Sequence, residues 1–263
     1  MSVYTTAFLD LGREKWESFS RTFNEYLDCF MPFIYLLKNS PDRMVVYIDE
    51  KVAHRIPPTE GLKIVKINRD WLKANCPTWG LLERGKEILE SEDFKSLVKH
   101  RRNCPETWNA EYCAINHAKV DLVGLTIDDA DYRNFTWFSW VDFGFFKDKT
   151  NIPYDLVDTT RLGSGVNYQI INPPQIHALT YILQNAPEYI GGFWFHGKRD
   201  DLKEFQFEYY KTLKWLHSVD IEDDDQTVVY LMCQKHPDKF SLWFAGTRQF
   251  HKCLKMVQRK SSA

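Results

Sequence analysis

Two hydrophobic periods alternate along the first half of the chain. Residues 3–9 form a largely apolar run suited to a buried strand, and residues 14–37 carry Trp16, Phe19, Phe23, Tyr26, Leu27 and Phe30 at helical spacing. The turn signal Asn39-Ser40-Pro41-Asp42 leads into a second strand over 44–48, ending at Asp49-Glu50, and residues 62–67 give a third. Helical patterns return over 79–97 and 109–123, the latter carried by Tyr112, Ala114, Ile115, Ala118 and Leu122. Residues 136–141 form an aromatic-rich strand whose apolar run only Ser139 interrupts, which predicts a central strand covered on both faces. Strands alternating with helices predict an α/β fold with a mainly parallel central sheet flanked by helices.

The second half is less regular. It offers a Gly163-Ser164-Gly165 loop, a helix over 175–185, a Gly191-Gly192 turn, an amphipathic helix over 201–216 and an acidic run, Glu222-Asp223-Asp224-Asp225, that opens a last apolar helix over 227–233. No repeat, low-complexity tract or linker divides the chain, so a single domain over 1–263 is expected, its second half reading as an acceptor or lid region.

Charge narrows the function classes. Thirty-four basic residues against thirty-six acidic ones leave a formal charge of −2, which excludes the electrostatic footprint of a nucleic-acid binder. No apolar stretch reaches the roughly 18 to 20 residues that a bilayer demands, and Asp10 and Arg13 arrive before any signal-peptide core, so a soluble cytoplasmic protein is expected. The six cysteines contain no C-x-x-C pair, which argues for reduced, buried thiols rather than a zinc ribbon. Aromatic residues make up 15% of the chain, and rings at a cleft rim stack on sugars or bases.

Candidate chemistry gathers at strand ends. Asp10, Gly12 and Arg13 follow the first strand, Asp49 and Glu50 the second, and Asp142 and Gly144 the central one; in a parallel sheet these loops converge on one edge. A carboxylate there suits Mg²⁺ or Mn²⁺ held against a diphosphate, with Arg13 and Lys119 offsetting the remaining phosphate charge. Asp49 and Glu50 suit the ribose or base, or are ordinary strand-end acids. Gly191 and Gly192 permit close backbone approach to a sugar near His196, although a turn with a structural histidine fits the same residues. The glycine-rich dinucleotide loop, the phosphate loop, H-E-x-x-H and G-x-S-x-G are absent, and Asp142-Phe143-Gly144 lacks the other kinase signatures. Asp129-Ala130-Asp131 spells D-x-D but precedes the central strand, which places it at the wrong edge.

The segments Thr6-Ala7-Phe8-Leu9-Asp10-Leu11-Gly12-Arg13-Glu14-Lys15-Trp16, Val45-Val46-Tyr47-Ile48-Asp49, Trp140-Val141-Asp142-Phe143-Gly144 and Asp224-Asp225-Gln226 together resemble the HtrL/YibB family, which is in turn similar to glycosyltransferases of the GT-A type. The resemblance implies a GT-A-like domain with a nucleotide-binding half at about 1–145 and an acceptor and catalytic half at about 146–263. It implies transfer of a sugar from a nucleoside-diphosphate donor, a UDP-sugar first, to a hydroxyl of a glycan acceptor. The donor site would take in Phe8, Asp10, Gly12, Arg13, Asp49, Lys119, Asp142 and Gly144. Asp142 would hold the metal in the D-x-D position, and Gly144 stands where the second acid would be. A second ligand would then come from His196, His251 or Asp10, or the metal is dispensable. Asp225, with Asp224 second, resembles the general base of inverting enzymes; the alternative for this run is a solvated helix cap. A nucleotide-dependent phosphotransferase or hydrolase, and a non-catalytic nucleotide- or sugar-binding protein, remain the competing functions.

Overall fold

The computed structural model describes residues 1–38, 40–147 and 163–244. Seven strands, β1 Ser2–Phe8, β2 Arg43–Asp49, β3 Leu62–Ile67, β4 Trp137–Val141, β5 Val166–Ile170, β6 Ile190–Lys198 and β7 Phe240–Phe244, join in one sheet of order β3-β2-β1-β4-β6-β5-β7. The pairs β1–β2, β2–β3, β1–β4 and β5–β7 are parallel, whereas β6 runs antiparallel to both neighbours. The expected mainly parallel α/β architecture is present, and β4 is its central strand.

Helices cover both faces: α1 Phe23–Leu37, α2 Arg69–Asn75, α3 Leu82–Glu90, α4 Glu92–Leu97, α5 Ala110–Asp128, α6 Leu179–Asn185, α7 Arg199–Ser218 and α8 Asp225–Lys235. On one face Phe30, Phe33 and Ile34 of α1 pack with Tyr4, Met44, Val46 and Ile48. On the other, Ala114, Ala118 and Leu122 of α5 share a core with Val3, Val45 and Phe138, and with Phe205 and Tyr209 of α7. Helix α5 is buried around most of its circumference, and its buried side chains include the acid-base groups His117, Lys119 and Asp121. A charge at such a position must find partners, which is how this helix contributes to the site.

Several predicted boundaries move for local reasons. The helix expected over 14–37 starts only at Phe23, because Thr22 and Glu25 form a reciprocal capping box. The turns before it, including Phe19 in the left-handed region at φ 59°, form a loop in which Trp16 packs on Trp108 and Tyr112. The helix expected over 79–97 breaks at Ser91, whose hydroxyl caps α4 by accepting from the Phe94 N–H. The helix expected from 175 begins at Leu179. Gly191 and Gly192 form no turn; they lie inside β6. A Cβ on Gly192 would stand 2.7 Å from a carboxylate oxygen of Asp225, so this glycine makes room for an acid from α8 rather than for a change of chain direction.

Cys29, Cys76, Cys113 and Cys233 are buried free thiols and Cys104 is half-buried. Among the described residues no helix is long and apolar enough to cross a membrane.

Candidate functional site

Strand order determines where a ligand fits. From β1 the chain proceeds outward through β2 and β3, then returns to place β4 on the other side of β1, so the strand order reverses between β1 and β4. Loops leaving the carboxyl ends of two such strands part from one another, and the crevice between them is where open α/β sheets bind ligands. A cleft of about 330 Å³ lies here, with Phe8, Asp10 and Arg13 from the β1 side and Trp140, Asp142 and Gly144 from the β4 side. A second hollow of about 470 Å³ shares Lys119, Asp142 and Gly144 with it and continues to Gly191, Gly192, Asp224 and Asp225.

Asp142 follows β4 directly. Its N–H donates to the Phe193 carbonyl at 2.9 Å, extending the pairing with β6, and its Oδ1 accepts from Trp140 Nε1 at 2.9 Å. The carboxylate remains 39% exposed, so it faces the cleft rather than the core. Lys119 rises from α5 and is buried. Its Nζ donates to the Gly192 carbonyl at 2.8 Å and to Asp225 Oδ2 at 3.0 Å, and stands 3.4 Å from Asp142 Oδ1. Burial works against this ammonium, but Asp142 and Asp225 outweigh it, and the pKa of Lys119 is raised. The lysine therefore neither snorkels to solvent nor stands free to meet a phosphate; it bridges two carboxylates brought from separate parts of the sequence.

Asp225 is the first residue of α8, and Asp224 is its cap, accepting from the Gln226 N–H at 3.0 Å and from Gln226 Nε2 at 3.1 Å. The whole acidic run is buried, so it is not a solvated cap. Each acid has its own restraint. Glu222 lies between His117 and His217, with their Nε2 atoms 3.1 and 2.9 Å from its two oxygens. Burial opposes its ionisation, yet the two imidazoles hold its pKa down at about 2. Asp223 pairs with Arg101 at 3.1 Å and accepts from Thr227 Oγ1 at 2.8 Å. Burial raises the pKa of Asp225, opposed chiefly by Lys119. Asp224 is pushed well up, by burial first and then by the charges of Asp223 and Asp225.

The β1 side is built from a short turn. Gly12, at φ 68°, permits it, and Asp10 Oδ1 closes it by accepting from the Gly12 N–H at 2.8 Å. Asp49 is buried and accepts from the backbone N–H groups of Asp10 at 3.2 Å and Lys51 at 3.0 Å. It therefore positions the β1 loop and does not line the cleft, contrary to the expected contact with ribose or base. Arg13 donates to Tyr26 Oη and to the Phe19 carbonyl. Gly144 makes room for a second guanidinium, since a Cβ there would meet Arg21 Nη1 at 2.8 Å.

Two further expectations are corrected. His196 is fully buried within β6, 2.5 Å from Ser139 Oγ and stacked on Trp137, and burial pushes its pKa down to about 3. It is a core residue and reaches neither an acceptor nor a metal at Asp142. Gly191 and Gly192 line the second hollow as strand residues, not as a sugar-binding turn. Beside Asp142, the described residues hold no group of three His, Cys, Asp or Glu side chains that could bind a metal ion, and an ammonium stands next to the carboxylate, a donor set poorly suited to a resident Mg²⁺ or Mn²⁺. His251 lies outside the described residues. Asp129 and Asp131 do stand apart from the cleft, both paired with Lys63 at the start of β3.

Sequence reasoning missed Arg101, His117, His217, Arg21 and Tyr112. A signal existed for His117 alone, as a polar residue on the apolar pattern of α5. Arg101 acts through Asp223, 122 positions away, and Tyr112 packs on Trp16, while His217 and Arg21 bond Glu222 and Cys29, five and eight positions off, with no pattern that singles them out.

Residues 2–252 match the family described as "bacterial protein of unknown function (HtrL_YibB)". The protein HtrL of Escherichia coli (strain K12) is 22% identical over 255 residues, covering 92% of this chain and 87% of that one. The chain belongs to the HtrL/YibB family.

Proposed function

We propose that this member of the family is a GT-A-like glycosyltransferase that moves a sugar from a nucleoside-diphosphate sugar to a hydroxyl of a glycan acceptor. The observation that carries this is the Lys119–Asp142–Asp225 cluster at the crevice between β1 and β4. It puts a cleft-facing acid, a buried acid and a fixed cation at one end of a sheet whose loops diverge to admit a ligand.

In this scheme the diphosphate lies between the β1 and β4 loops and the acceptor enters from the hollow beside Asp225. The acceptor oxygen attacks the anomeric carbon as the bond from that carbon to the diphosphate oxygen breaks. The acceptor proton passes to the Asp225 carboxylate, and the nucleoside diphosphate leaves with the bonding electrons. Lys119 favours the ionised form of Asp225 that a base requires, and Gly192 gives that carboxylate its space.

One observation favours a binder without turnover: Lys119 already donates to Asp225, which reduces its strength as a base. The two readings separate in a single experiment. In a thermal-shift screen of UDP, GDP, ADP and their sugars, a true ligand raises the melting temperature by mass action. Release of the nucleoside diphosphate from the sugar nucleotide that binds is then measured for wild type, Asp142→Asn and Asp225→Asn. A transferase predicts losses of about 10²-fold or more in turnover for Asp225→Asn. Turnover unaffected by both substitutions would refute these roles, and binding without turnover in wild type would favour the binder.

A further inference from the structure

Lys147 also lines the cleft, and the remaining positive charge there is of two kinds. Lys119 Nζ stands among three oxygens from three elements: the Gly192 carbonyl of β6, Asp225 Oδ2 of α8 and Asp142 Oδ1 after β4. An ammonium has three N–H donors, and three oxygens now surround it. It occupies the position from which a dication would join these two carboxylates, and a dication brought beside it would meet the repulsion of a fixed charge.

Arg13, in the loop after β1, and Arg21, beside Gly144, form no ion pair among the described residues. Arg13 is held by Tyr26 Oη and the Phe19 carbonyl, while its Nε is buried without a hydrogen-bond partner. Arg21 lies 4.1 Å over the ring of Tyr26 and donates to Cys29 Sγ at 2.9 Å. Both guanidiniums line the cleft. Groups held in place by neutral oxygens, sulfur and rings keep their full charge for an anion, and the planar fork of arginine matches phosphate oxygens in pairs.

Resting on the nucleotide-sugar reading above, the geometry points to a donor site that works without a resident metal: Arg13 and Arg21 neutralise the diphosphate, while the Lys119 ammonium holds Asp142 and Asp225 where a bridging cation would otherwise be needed. Asp142 then accepts from hydroxyls of the donor instead of sharing a metal with its phosphates.

The test is calorimetric titration of wild-type protein with UDP, GDP and ADP, each in EDTA and in Mn²⁺. The comparison of the two buffers requires no variant to fold. The expected result is that the diphosphate that binds does so with affinities within about threefold in the two buffers. Arg13→Gln and Arg21→Gln, with melting temperature checked, should each weaken it by about tenfold to a hundredfold, the usual range for a charged hydrogen-bond partner. Binding that vanishes in EDTA and returns with Mn²⁺ would overturn the metal-free site while leaving the nucleotide reading intact, as would unchanged affinity in both arginine variants. If none of the three diphosphates binds in either buffer, the nucleotide reading itself fails and this inference falls with it.

Discussion

Asp224 shows how a single residue sets stability against charge. Both of its oxygens accept from Gln226, one from the backbone and one from the side chain, and its neighbours Asp223 and Asp225 raise its pKa further than burial does alone. Replacing it with Asn keeps an oxygen for the cap, since the Gln226 amide can rotate, and removes the repelled charge. Asp224→Asn should therefore raise stability at neutral pH by about 1 kcal/mol. Urea unfolding checks this, and turnover, if Asp225 alone is the base, should stay within a few-fold of wild type.

His196 gives the opposite case. Its folded pKa is depressed to about 3 from an ordinary 6.5. The unfolded chain thus binds the proton first, and the stability contributed by the neutral ring is complete above pH 6.5 and is lost as pH falls towards 3. Between pH 7 and 5 this amounts to about 2 kcal/mol, and His196→Gln should flatten that part of the pH–stability curve. Equal slopes in the two proteins would contradict it. At this scale Asp142 and Asp225 were legible, the first because a lone acid ends an apolar strand. His196 was misread because its glycine neighbours suggested a loop, and only the pairing of β6 with β4 shows the ring facing Ser139.

Among the elements, the four strands of the first half were readable, because each is an apolar run of five to seven residues bounded by turn signals, whereas β5, β6 and β7 in the less regular second half were not. Helix starts were less so: the periodicity of Trp16 and Phe19 continues into α1, and the capping box at Thr22 and Glu25 overrides it. β6 was hidden altogether, since two successive glycines signal a turn unless something needs the space they leave. Here Asp225 needs it. Gly192→Ala should push a methyl group to within 2.7 Å of the Asp225 carboxylate and drive it from Lys119. A stability loss of about 1–3 kcal/mol is expected, with turnover reduced as far as in Asp225→Asn. A variant with normal turnover would show that the Lys119–Asp225 pair is not needed for chemistry.

For the whole molecule, the site joins residues that the chain keeps far apart. Lys119 and Asp225 are 106 positions from each other, Arg101 and Asp223 122, and His117 and Glu222 105. Composition and periodicity carry no information about such pairs. The sheet brings them together: the reversal between β1 and β4 opens the crevice, and antiparallel β6 carries Gly192 back to the carboxyl end of β4, beside Asp142. The edge on which the site lies was predictable from the alternation of strands and helices, whereas its membership depended on strand order. The central claim is that this crevice receives a nucleoside diphosphate, and the most direct measurement is a crystal soaked with the diphosphate that gives the largest thermal shift. Density for the diphosphate between Arg13 and Arg21, with its leaving oxygen towards Asp142 and Asp225, is the predicted result. Density at any other place on the sheet, with this crevice empty, would contradict it.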